Sequence, residues 1–158
     1  MRLVRLIVFS AALLGLPSAA QDSEGDSWSV RVTLRDGWGL NESYLVDALG
    51  SVRARRGVES SCDGASPDDA LVSIEEELLA LMAEQPAAQG GSRCYDETNI
   101  FLSIDYRQAD GAVHVLERHF SSIPRCRVQA VSEHEEKLAA QVVGVGRDLW
   151  ANCTAADR

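Results

Sequence analysis

The four cysteines of this chain are the strongest constraint on how it can fold. Cys62, Cys94, Cys126 and Cys153 stand 32, 32 and 27 residues apart. Zinc sites and redox-active motifs usually need cysteines roughly two to four residues apart, so this spacing favours neither. An even number of widely spaced cysteines in an exported chain predicts two structural disulfides, for which three pairings are possible.

Export itself is predicted by the start of the chain. Two arginines precede a short apolar run over residues 6–16, and the small residues Ser18 and Ala20 stand at the two positions that a signal peptidase reads before a cut after Ala20. The run has 11 residues, whereas a membrane-spanning helix needs about 20. We therefore expect a signal peptide over residues 1–20 and a single mature domain over residues 21–158, periplasmic or secreted and without a membrane span.

The charge of the chain argues against polyanionic partners. The sequence has 24 acidic and 15 basic residues, a net charge of −9, which becomes −11 once Arg2 and Arg5 leave with the signal. The phosphates of nucleic acids and the anionic surfaces of membranes repel such a chain. We expect neither to be a partner.

The first half of the mature chain predicts one strand and one helix. Apolar and polar residues alternate from Trp28 to Arg35, which is typical of a half-buried strand. Asn41 is a good N-cap for a helix over residues 41–56, and Gly57 would close it. The apolar stripe of this helix would consist of Leu45, Leu49 and Val52.

Three arginines, Arg53, Arg55 and Arg56, would crowd the last turn of that helix. The helix dipole favours cations there, so they are interpreted as helix-end charge, with an anion site as the functional alternative. Residues 57–65 would follow as a loop that holds Cys62.

The second half predicts a helix, a hairpin and a further helix. Ser66 and Pro67 would cap and begin a helix that Pro86 ends, before a connector over residues 87–92. The last helix, about residues 132–151, begins with a capping box of Ser132 and Glu135. Its Gly144 and Gly146 either weaken it or let another element approach closely.

The hairpin is predicted with its register. Residues 99–107 and 112–120 would be strands around a three-residue loop that ends at Gly111, where a left-handed residue is needed. Paired residue numbers then add to 220, which also brings Cys94 opposite Cys126. A bond from Cys126 to Cys153 would have to span the last helix, roughly 30 Å long. The predicted disulfides are therefore Cys94–Cys126 and Cys62–Cys153.

The elements follow in the order strand, helix, helix, strand, strand, helix. This order predicts an α+β domain with a small antiparallel sheet and helices packed on one face. The Gly144-Val145-Gly146 sequence lacks the third glycine of a dinucleotide loop, and the three histidines lack metalloprotease spacing. We expect no cofactor and no metal.

One face of the hairpin is the best candidate for catalysis. It would carry Ser103, Asp105, Glu117 and His119, which offer a nucleophile, a base and an acid. The alternative is the polar outer face of an amphipathic hairpin. Trp38, in a glycine-flanked loop, is a candidate anchor for a partner, although large aromatic residues are mostly buried and packing on the core is the favoured interpretation.

These observations favour a non-enzymatic, exported interaction or structural protein with a protein or envelope partner. Two alternatives stay open. One is a small secreted hydrolase that uses the hairpin face. The other is an inhibitor or immunity-type protein of an exported enzyme, with residues 86–94 as its exposed loop.

Overall fold

The computed structural model describes residues 26–58, 60–84, 97–127 and 130–156. The expected signal peptide, the 86–94 loop and Cys94 lie outside these ranges. Six strands form one sheet and two helices complete the domain, with the bounds β1 Ser27–Arg35, β2 Asn41–Asp47, β3 Ser51–Arg56, β4 Ser60–Ala65, α1 Asp68–Ala83, β5 Asn99–Arg107, β6 Val113–Ser121 and α2 Glu133–Ala156. A 3-10 turn, Pro124–Cys126, lies between β6 and α2.

The sheet is antiparallel at every pairing, in the order β4-β3-β2-β1-β5-β6. Its inward residues, such as Val30, Val32 and Ile104, are fully buried against the helices. The α+β class and the antiparallel sheet are thus confirmed. The order of the elements is not, because a hairpin and a further strand replace the first predicted helix and the loop after it.

The β5–β6 hairpin forms in the predicted register. Ile104 lies opposite Leu116 and Tyr106 lies opposite His114. Gly111 has a φ of 87°, in the left-handed region that favours glycine. The left-handed glycine of the loop and the apolar cross-strand pairs specify the same register. Because side chains alternate along a strand, a slip by one residue would move the core residues to the solvent side.

The prediction of a helix over residues 41–56 is wrong. These residues form the β2–β3 hairpin, which turns at Asp47–Gly50 and in which Tyr44 and Val46 face the core. Leu49, assigned to the apolar stripe, is 91% exposed at the tip of the turn. The side chain of Asp47 fixes this turn by accepting hydrogen bonds from the backbone N–H groups of Leu49 and Ser51. The turn preference of an Asp-capped segment that ends in glycine therefore outweighs the helix signal from the spacing of Leu45, Leu49 and Val52.

The loop predicted over residues 57–65 is also wrong, because Ser60–Ala65 pairs with β3 as the edge strand β4. Cys62 faces inward from β4 and bonds to Cys153 in the last turns of α2, with Cα atoms 6.4 Å apart. The Cys62–Cys153 pairing is confirmed, and it is the one disulfide that the structure shows among the residues described. Cys126 is buried, and its predicted bond to Cys94 stays a prediction.

Both remaining helices begin close to their predicted positions. At α2 the capping box is confirmed. Glu135 Oε2 accepts from the N–H of Ser132 at 2.9 Å, and Ser132 Oγ accepts from the N–H of Glu135 at 3.1 Å. At α1 the predicted cap is wrong, because the capping position is Pro67 and it has no side-chain cap. The side chain of Ser66 instead donates to the carbonyl of Pro67.

Two glycines let α2 lie close to the sheet. A Cβ on Gly146 would stand 2.1 Å from Cδ1 of Tyr44, and a Cβ on Gly64 would stand 2.5 Å from Cδ1 of Leu149. Of the two alternatives predicted for Gly146, a weaker helix or a close approach by another element, the close approach is confirmed. Within the described residues, no helix combines the length and the apolar composition that crossing a membrane requires.

Candidate functional site: the open face of the sheet

One face of the sheet packs against α1 and α2, and the other carries the outward side chains of the strands. We call this outward side the open face. Its central rows follow from the register, because Arg31 lies between Leu45 and Ser103, and Thr33 lies between Ser43 and Phe101. Side chains alternate along a strand, so these residues all point away from the helices.

The open face carries a different charge from the helices. Its strands present five arginines and four carboxylates, which are Arg31, Arg35, Arg53, Arg55, Arg107, Asp47, Asp63, Asp105 and Glu117. By contrast, α1 has five acidic residues and no basic one, and α2 has four acidic and two basic. Among the described residues, the excess of acidic over basic side chains therefore lies on the helices.

The arginines gather around a pair of hydroxyl groups. Thr33 Oγ1 donates to Ser43 Oγ at 3.3 Å. Arg31 and Arg35 flank Thr33 along β1, while Arg55 lies directly across from Ser43 on β3. This arrangement was missed in the sequence, where Arg53 and Arg55 were placed at the end of a helix. As strand residues they share the open face with the arginines of β1.

The predicted catalytic residues do lie on one face. Ser103 is directly opposite Glu117, and Asp105 and His119 share their side of the hairpin. The imidazole of His119 stacks on Phe101 with centroids 4.4 Å apart, and its Nε2 lies 3.0 Å from Oδ1 of Asn99. Among the described residues, His119 thus has Asn99 rather than Ser103 as its hydrogen-bond partner. This geometry suits stacking and recognition better than proton abstraction from Ser103.

Trp38 is exposed, so the favoured interpretation that it packs on the core is wrong. Its side chain is 80% exposed, in the β1–β2 turn. The carboxylate of Asp36 holds this turn by accepting from the N–H groups of Trp38 at 2.9 Å and Leu40 at 2.8 Å. Gly39, with a φ of 109°, completes the turn. The backbone is therefore fixed while the indole stands in solvent.

A buried ionic cluster fixes α2 to the same end of the sheet. Glu42 is 7% exposed and accepts from Tyr44 Oη at 2.8 Å and from Arg147 Nη2 at 3.1 Å. Arg56 Nε lies 3.1 Å from the other carboxylate oxygen. Burial acts to raise the pKa of Glu42, but the hydrogen bonds from Tyr44 and Arg147 and the positive charges of Arg56 and Arg147 together outweigh it, so the pKa lies below its ordinary value.

This cluster accounts for one of the three arginines at the end of the first predicted helix. Arg56 faces inward, is neutralised by Glu42 and lies over the ring of Trp150 at 5.3 Å. The anion-site alternative for the three arginines together therefore does not hold, because Arg56 is on the opposite side of the sheet from Arg53 and Arg55.

No group of three or more metal-ligating side chains occurs among the residues that the structure describes. Comparisons with protein-family models, with curated proteins and with solved structures find no match to the chain.

Proposed function

We propose that the chain is an exported, non-enzymatic interaction protein that binds a protein partner through the open face, with Trp38 as the anchor. The observation that carries the proposal is a tryptophan 80% exposed on a turn held by three hydrogen bonds from or to Asp36. Exposing an indole to water is costly, and tryptophan is enriched at binding hot spots. A preorganised turn also lowers the entropy cost of binding.

The composition of the open face supports a protein partner. Interface centres are enriched in arginine and aromatic residues and depleted in lysine. Arg31, Arg35 and Arg55 surround the centre of this face, Phe101 is stacked there on His119, and Arg35 lies over Phe101 at 5.5 Å. The basic residues among the outward positions are all arginines.

The separation of charge supports an acidic surface on the partner. The guanidinium group of arginine can bind a carboxylate with two parallel hydrogen bonds. An acidic partner would be attracted to the open face and repelled by the carboxylate-rich helices, so one orientation is favoured before contact. Arg31 and Arg55 make no ion pair within the described residues and can serve such a partner.

The test is site-specific photocrosslinking from the chain in its native host. A photoreactive aromatic amino acid replaces Trp38 in one variant and Leu49 in the other, so that position 38 keeps an aromatic side chain. Leu49 is the matched control, because it is 91% exposed on a turn that Asp47 fixes in the same way at the opposite end of the sheet. We expect one crosslinked protein band from position 38 and none from position 49.

The affinity of that protein then decides whether Trp38 is the anchor. We expect Trp38→Ala to weaken binding about 30-fold or more, the size of a hot-spot residue, and Leu49→Ala to change it less than about twofold. Equal crosslinking from both turns, or a Trp38→Ala chain that keeps its affinity, would overturn the proposal.

A further inference from the structure

A cavity of about 330 Å³ lies on the helical side of the sheet, apart from the open face. It opens between the first half of α2 and the ends of β1, β5 and β6. Its apolar wall consists of Leu34, Ile100, Phe120, Ala139 and Val143. The volume is at the small end of the range of ligand-binding cavities, about 300–1,000 Å³.

Small side chains on α2 leave this space. Ala139 and Ala140 face the cavity at successive positions, and Ala140 is exposed at its mouth. A helix with larger residues at these positions would fill the gap against Phe120 and Ile100. Leu138 and Val142 on the same helix are completely buried, so the core beside the cavity is closed to solvent.

The polar groups of the cavity are weighted towards positive charge. Arg127 and Arg147 line it, and Glu136 is the one carboxylate among the lining residues that the structure describes. Arg127 is held in place, because its Nε donates to the carbonyl of Ser121 at 3.1 Å and its Nη1 pairs with Glu136.

Arg147 is only partly compensated by its own partner. Its Nη2 donates to Glu42, but Glu42 also faces the guanidinium of Arg56, so two arginines share one carboxylate. Arg147 keeps about half of its side chain exposed, at 50%. The cavity therefore joins an apolar wall to a guanidinium that can accept a further anion.

We propose that this cavity binds a small amphipathic carboxylic acid, with its apolar body against Phe120 and Val143 and its carboxylate on Arg147. The class follows from the two kinds of lining. An apolar wall selects an aliphatic or aromatic body, and a partly compensated arginine at the edge selects a negatively charged head. The limited volume excludes a long acyl chain. This site is independent of the partner surface proposed above.

The first test measures binding of octanoate to the purified chain by isothermal titration calorimetry. Octylamine is the matched probe, because it has the same apolar body and the opposite charge. We expect octanoate to bind and octylamine to bind at least tenfold more weakly. Equal binding of the two probes, or no binding of octanoate, would overturn the proposal.

The second test assigns the binding to this cavity. Ala140→Phe places a ring in its mouth from an exposed position, so the fold should be retained, as circular dichroism can verify. Ala151→Phe is the matched control, an exposed alanine later on the same helix that does not line the cavity. We expect Ala140→Phe to abolish octanoate binding and Ala151→Phe to leave it unchanged. Binding that survives Ala140→Phe would place octanoate elsewhere and refute the assignment.

A third variant predicts a gain. Glu136→Gln removes the carboxylate that pairs with Arg127 at the edge of the cavity. We expect octanoate to bind up to about fivefold more tightly, the factor that an exposed ion pair is worth. Weaker octanoate binding after this substitution would contradict an anion site.

Discussion

Gly146→Ala tests whether the close approach of α2 to the sheet requires glycine at this position. The substitution sets a steric penalty against the higher intrinsic helix propensity of alanine. The new methyl group would lie 2.1 Å from Cδ1, 2.7 Å from Cγ and 3.0 Å from Cβ of Tyr44. These atoms are at the base of the side chain, and Tyr44 is completely buried. Its hydroxyl donates to Glu42, which Arg147 holds from the other side. Tyr44 therefore has no free direction in which to move.

The expected loss of stability follows from three contributions. Alanine gains up to about 1 kcal/mol over glycine in a helix. Forcing a methyl group into a packed contact costs about 1–3 kcal/mol. A displaced Tyr44 also leaves the buried carboxylate of Glu42 without one donor, which costs about 1–3 kcal/mol. We expect a net destabilisation of about 1–5 kcal/mol, because the two penalties together exceed the helix-propensity gain.

Gly144→Ala is the matched control on the same helix. Nothing lies within 4 Å of a Cβ at Gly144, so only the propensity gain remains and stability should rise by about 0.5–1 kcal/mol. The measurement is denaturant unfolding of both variants, followed by tryptophan fluorescence and far-ultraviolet circular dichroism. If Gly146→Ala were as stable as Gly144→Ala, the close contact with Tyr44 would not exist.

Three further predictions concern the same packing. The double substitution Cys62→Ala and Cys153→Ala removes a crosslink between residues 91 positions apart. It should lower the free energy of unfolding by about 2–5 kcal/mol in denaturant unfolding. An unchanged unfolding midpoint would argue against the bond. Gly64→Ala should cost only about 1 kcal/mol, because its Cβ would meet the flexible tip of Leu149, whereas a loss as large as that for Gly146→Ala would contradict this view. The lowered pKa of Glu42 means that its contribution is present above its unfolded-state pKa and is lost as the pH falls through its folded-state pKa. The Glu42→Gln variant should therefore have a lower free energy of unfolding than the parent near neutral pH, and the difference between the two should shrink as the pH falls. A difference that stays constant with pH would contradict the buried cluster.

The sequence by itself determined those elements whose signals are local. The alternation from Trp28 to Leu34 predicted β1, and the loop that ends at Gly111 predicted the β5–β6 register. The capping box of Ser132 and Glu135 predicted the start of α2. Each of these signals lies within about ten residues along the chain, where backbone preference and side-chain capping act directly.

The β2–β3 hairpin has a local turn signal at Asp47–Gly50, but the tertiary structure decided that its first strand forms and which face of it is buried. Its first inward residue is Glu42, and a carboxylate at a core position hides the alternation that would predict a strand. That carboxylate is tolerated because Arg147 reaches it from a position 105 residues away. Burying a charge is stable only when a partner is supplied, and no local pattern shows where such a partner will come from.

The candidate site depended on the same kind of information. The sequence identified the hairpin face with Ser103 and His119, which is fixed by one local register. It could not bring Arg55 beside that face, because β3 joins the sheet through β2 and β1. Nor did it show that Trp38 is exposed, since whether an indole finds a place in the core depends on how all six strands and both helices pack. Local chemistry set the elements with strong local signals, and long-range packing decided the remaining strands and which side chains meet.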